Sequence, residues 1–193
     1  MEIKNLFEDV CREYGIPRAI KSIEERASEI CWFSFELNNL KHEFGPISNE
    51  ILNDVKKQPV LNLSAFYLHH SIEGRESINP IFGLNKRHIN NDEFSRLLCI
   101  HEISHSIDML NLKEGLEIII SDCDKSVGLV IQGIANKVHD QLGGFGEDRF
   151  HNEGFGAILS ALIRRKYPNN HATKLNESLS RNFLDDYSSE LIC

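Results

Sequence analysis

Asp92-Glu93-Phe94-Ser95-Arg96-Leu97-Leu98-Cys99-Ile100-His101-Glu102-Ile103-Ser104-His105-Ser106-Ile107-Asp108-Met109-Leu110-Asn111 carries the strongest helical signature in the chain. Its apolar residues recur at three- and four-residue intervals. Asp92 and Glu93 stand where the dipole of a starting helix favours negative charge, and Asn90 and Asn91 are offered as caps. A helix over 92–111 is expected. Ile100, Ile103, Ile107 and Leu110 lie along one side, and Phe94, Leu97 and Leu98 precede the histidines. Both sides are therefore expected to be buried, yet the same helix holds two His, a Glu and an Asp. Polar groups inside a core need partners, and a metal ion would supply one.

His101-Glu102-Ile103-Ser104-His105 has the spacing for that ion. At roughly 100° per residue the two histidines lie one turn and about 40° apart, so both imidazoles reach one point. Zinc takes imidazole nitrogen at about 2.0–2.1 Å, and catalytic sites use three protein ligands plus an open position. Glu102, about 100° from His101, stands on the shoulder of that face, within reach of a water activated by the metal, as a general base. Asp108, two turns on and about 20° from His101, continues the polar stripe. It is expected to accept the free ring N–H of a ligand histidine and fix its tautomer. So short a pentapeptide also arises by chance; helical context, the aligned Asp108 and a third ligand must carry the rest.

Outward from this helix the chain reads as alternating signals. Upstream, residues 60–69 and 78–84 are rich in Val, Leu, Phe and Ile around Glu73-Gly74-Arg75-Glu76, which predicts a hairpin or two neighbouring strands, with Pro80 marking an edge strand. Ile3, Leu6, Phe7, Val10 and Tyr14 predict a first helix. After Pro17, the run Ile20, Ile23, Ala27, Ile30, Phe33 or Ser34, Leu37 and Leu40 predicts a second, long helix ending at Phe44-Gly45-Pro46. Downstream, helices are expected over 125–142, 152–167 and 173–187. Arg164, Arg165 and Lys166 then close the middle one as cations that complement its dipole before Pro168.

With 193 residues, 41% hydrophobic and 26% charged, the chain can bury one core without staples. Its net charge of −8 argues against a nucleic-acid coat protein. No apolar run is long enough to span a bilayer, and the acidic, amphipathic start lacks the form of a signal peptide, so a cytoplasmic address and no membrane partner are expected. Cys11, Cys31, Cys99, Cys123 and Cys193 are odd in number and scattered, as reduced thiols would be.

The pairing of His101-Glu102-Ile103-Ser104-His105-Ser106-Ile107-Asp108 with the later Asn152-Glu153-Gly154-Phe155 resembles the gluzincin zinc metallopeptidases. That resemblance implies Glu153 as the third zinc ligand. The same stretch also resembles SprT-like zinc proteases, in which a hairpin precedes the His-Glu helix and a His four residues before a Phe completes the site. His151 and Phe155 match that spacing, although Asn152 replaces the usual Gly. The Asn-Glu-Gly-Phe match is the longer and favours Glu153, with His151 the alternative. Either resemblance implies an α+β, mainly helical zincin-like domain with a small hairpin or sheet beside the active-site helix. On this reading residues 1–193 form one domain, with N-terminal helices over 1–45, a zincin core over 60–168 and a C-terminal helix over 173–193.

The function expected is zinc-dependent hydrolysis of a protein or peptide, with His101, His105 and Glu153 or His151 holding Zn2+ and Glu102 as base. The alternatives are a SprT-like DNA-associated protease and a non-catalytic, zinc-containing interaction module. His69, His70, His88, His139, Tyr67 and Tyr167 are candidate transition-state stabilisers. Each is more often an ordinary surface or capped residue. Cys99, on the side away from His101, is expected to be a core thiol.

Overall fold

The computed structural model describes residues 2–27, 29–36, 39–45, 49, 65–71, 78–89, 92–110, 112–122 and 153–184. The expected helix over 125–142, the turn at 73–76, and His139, His151 and Asn152 lie outside them.

Helix α1 (Glu2–Glu13) buries Ile3, Leu6, Phe7 and Val10 along one stripe. It ends at Gly15, whose φ of 74° is left-handed. Ile16 N–H donates to the Cys11 carbonyl at 2.8 Å and Gly15 N–H to that of Arg12 at 3.2 Å. These are the paired bonds of a Schellman stop. Helix α2 (Ala19–Arg26) follows and is short.

The long second helix expected up to residue 45 does not form. The chain leaves α2 at Ala27 in extended conformation and makes β1 (Cys31–Glu36) and β2 (Asn39–Phe44), an antiparallel pair. The described part of residues 1–45 thus holds two helices and an antiparallel strand pair. Cys31, Trp32, Phe33, Ser34 and Phe35 are all buried. A strand covered on both faces reads as a continuous apolar run, and such a run also satisfies helical spacing.

Strands β3 (Ala65–Ser71) and β4 (Ile78–Asn85) form the expected antiparallel pair. β4 also pairs in parallel with β1, giving a four-stranded sheet in the order β2-β1-β4-β3. Pro80 therefore lies on an inner strand, not an edge. Pairing with β1 begins one residue later, at Cys31 opposite Ile81, so the missing N–H falls outside that ladder. Trp32, Phe82 and Tyr67 stand side by side across three strands. Trp32 stacks on Phe82 with centroids 5.0 Å apart, and Phe7 of α1 presses on both.

On the same face as Ala65 and Tyr67 lies α3 (Glu93–Met109), entered through a 3-10 turn at Lys86–His88. Its cap is Asp92, not Asn90 or Asn91: Oδ1 accepts from Ser95 N–H at 2.7 Å and from Ser95 Oγ at 2.8 Å. Those two bonds hold the Asp92 carboxyl below its ordinary pKa. Helix α4 (Lys113–Asp122) is not among the expected elements: Leu112, Leu116, Ile119 and Ile120 keep helical spacing, but Ile118-Ile119-Ile120 is a β-branched block that obscures it. Gly115, under Ile107 and Ile158, lets it pack closely. Helices α5 (Glu153–Lys166) and α6 (His171–Leu184) complete the described chain close to where they are expected.

The architecture is α+β and mostly helical. One buried cluster runs from Ile3 through Trp32, Phe82 and Ile103 to Ile163. Cys11, Cys31 and Cys99 are free and buried, and burial pushes the thiols of Cys11 and Cys31 up to about 12. No helix among the described residues is long and apolar enough to cross a membrane.

Candidate metal centre

Helix α3 is enclosed on nearly every side. His101, Glu102, Ser104, His105 and Ser106 are buried along with Leu97, Leu98, Ile100, Ile103 and Ile107. Ser104 returns its hydroxyl to the Ile100 carbonyl at 2.7 Å, the usual accommodation of a serine inside a helix. The histidines instead turn toward each other.

His101 Nε2 and His105 Nε2 are 3.1 Å apart. Two bonds of about 2.0–2.1 Å meeting at a tetrahedral angle separate their nitrogens by about 3.3–3.4 Å, so the pair is close to the chelating distance. The same distance suits a proton shared between two neutral imidazoles. One line thus accommodates either a proton or an ion, and the donor set of two imidazoles suits zinc. Glu102 lies between the two histidines in sequence and is 2% exposed, so its carboxylate, like the imidazoles, is withdrawn from bulk water.

Phe155 of α5 fixes the rings from the other side. It stacks on His105 with centroids 3.9 Å apart and planes 11° apart, and meets His101 edge-on at 4.9 Å. Phe155, the last residue of the second motif, thus stands beside the pair. Glu153 opens α5, two residues before Phe155. Among the described residues no cluster of three or more His, Cys, Asp or Glu groups forms. Asp108, half-buried near the end of α3, is about 10 Å along the axis from His101 and about 4.5 Å from His105 at 1.5 Å per residue. The position suits His105 better than His101.

His101 has a different neighbour: its Nδ1 is 3.3 Å from Oγ of Ser178, a fully buried residue of α6. The sequence signal for Ser178 is faint. It is a polar residue within the apolar stripe of Leu175, Leu179 and Phe183.

The remaining candidates divide. Tyr67 is buried against α3, where burial raises its phenol above the ordinary pKa and the adjacent Ser106 hydroxyl pulls the other way. It stays neutral. Tyr167 belongs to a separate cluster with Tyr14, Lys166 and Lys174. His88 meets Phe94 edge-on beside the entry to α3. Cys99 is fully buried, as expected, and its thiol is raised by that burial. His69 and His70 lie on β3.

Arg165 donates to the Ile118 carbonyl at 3.1 Å and to Ser121, while Lys166 pairs with Glu13. These two cations of α5 are engaged within the fold, in keeping with their reading as the closing turn of a helix. Comparison with protein-family models, curated proteins and solved structures finds no match for this chain.

Proposed function

We propose that this chain is a zinc-dependent metallopeptidase with a zincin-like site on α3. The observation that carries the reading is the buried pair of Nε2 atoms 3.1 Å apart, with Glu102 next in sequence to the first. His101 and His105 would hold the ion. Bound zinc supplies Lewis acidity, lowering the pKa of a water and polarising a peptide carbonyl. Glu102 takes a proton from the attacking water and delivers it to the leaving amine. Phe155 keeps His105 in one ring orientation, and Asp108 is the proposed acceptor for that ring's N–H.

The third ligand comes from the segment before Phe155. The longer motif supports Glu153. His151, four residues before Phe155 in sequence, is the alternative. Metal content of Glu153→Ala and His151→Ala separates them: loss of the true ligand depletes zinc, and zinc unchanged in both rejects this segment.

The test of the whole reading is Glu102→Gln. The variant is expected to keep about one zinc per chain and to lose cleavage of a fluorescently labelled unfolded casein by at least about 100-fold. A variant that loses its metal, or that cleaves at the wild-type rate, overturns the role given to Glu102.

A second reading, a non-catalytic interaction module with a structural ion, is favoured by the enclosure of the pair: His101 is 1% and His105 6% exposed, with Phe155 stacked over the latter. Wild-type protein that binds zinc but cleaves no unfolded protein supports it. The DNA-associated alternative has less support, since Arg165 and Lys166 are engaged within the fold and the chain carries a net charge of −8.

A further inference from the structure

Ser178 reaches the histidine pair across 77 residues of sequence, and its place is set by the fold and not by a long side chain. One turn earlier on α6, Lys174 pairs with Glu93 at the start of α3 and with Glu177, both at 3.0 Å. There α6 packs against α3, and the fully buried hydroxyl stands 3.3 Å from His101 Nδ1. A neutral imidazole carries one proton on two nitrogens. On Nε2 the proton would occupy the 3.1 Å line to His105; on Nδ1 it leaves the Nε2 lone pair facing that line.

We infer that Ser178 is the positioning residue of this site: its hydroxyl accepts the Nδ1 proton of His101 and presents an unprotonated Nε2 to zinc. The inference rests on the zinc reading above and goes beyond it. A hydroxyl also donates, so the contact persists in metal-free protein whichever nitrogen holds the proton. Removing the hydroxyl takes away a buried acceptor at 3.3 Å from Nδ1 and so weakens the preference for the tautomer that leaves Nε2 free.

The experiment is zinc affinity of the full wild-type chain and Ser178→Ala, by competition with a chromophoric chelator, alongside long-range 1H–15N spectra of the histidine rings. Ser178→Ala is expected to bind zinc roughly 10- to 100-fold more weakly, with an unchanged circular dichroism spectrum. In zinc-loaded wild type the His101 proton is expected on Nδ1 and slow to exchange; this readout stands even if the variant does not fold. Equal affinity in the two chains, or a rapidly exchanging Nδ1 proton in wild type, overturns the role of Ser178 alone. Wild type that binds no zinc overturns the zinc reading and this inference with it.

Discussion

Two glycines at positive φ differ in what surrounds them, and the difference sets what a methyl group would cost. At Gly15, φ 74°, a Cβ would meet nothing within 4 Å. At Gly45, φ 101°, it would run into the Ile30 carbonyl and the Cys31 backbone. Gly15→Ala therefore carries only the left-handed penalty, about 1 kcal/mol, whereas Gly45→Ala adds a backbone collision where β2 ends beside β1 and is expected to cost about 3 kcal/mol or more. Urea midpoints of the two variants check this; equal shifts would mean the chain at Gly45 relaxes freely. Residue patterns of this local kind were legible in the sequence. Gly15 after an apolar stripe, and His101 and His105 one turn apart, follow from chain geometry alone. Ser178 was not, because its meaning comes from α6 lying against α3, a contact that no short-range pattern encodes.

Elements were legible where one face is wet. α1 alternates clearly between buried and exposed and was recognisable; β1, buried on both faces, mimicked a helix, and α4 hid behind three consecutive isoleucines. α3 is the telling case, since it is buried nearly all round and the acidic Asp92-Glu93 marked its start, although the cap itself is Asp92 and not Asn90 or Asn91. The Asp92 cap is worth about 1 kcal/mol, and Asp92→Ala is expected to lose that in thermal or urea unfolding. Its pH dependence has a definite sign. The folded carboxyl is held below its unfolded value of about 3.9, so the cap contributes fully above that value and is lost as pH falls through the folded one. Wild type and Asp92→Ala should thus converge in stability at acid pH, and a constant difference down to the lowest pH would show that the carboxylate is not the cap. Phe155 makes the corresponding test for α5. Phe155→Ala is expected to cost about 3–5 kcal/mol through the cavity it leaves against His101 and His105, and Phe155→Leu distinctly less.

Across the whole molecule, ion pairs join helices far apart in sequence around the histidine pair. Glu13 of α1 takes both Arg96 of α3 and Lys166 of α5, and Lys174 of α6 takes Glu93 of α3. Exposed pairs of this kind contribute little singly, so the fold's energy rests on the buried cluster. The site sits inside that cluster, which couples any ion to global stability. A ligand that binds only the folded chain adds about 2.7 kcal/mol at a hundred times its dissociation constant. For a chain of this size each kcal/mol moves the midpoint by about 2–4 °C, so saturating zinc is expected to raise Tm by about 5–11 °C, and EDTA to reverse it. The His101→Ala, His105→Ala double variant should show no such rise. If zinc stabilises that variant as much as wild type, the ion binds elsewhere and α3 is not its site; if wild type alone responds, the pair of facing imidazoles is where the metal and the folded state are linked.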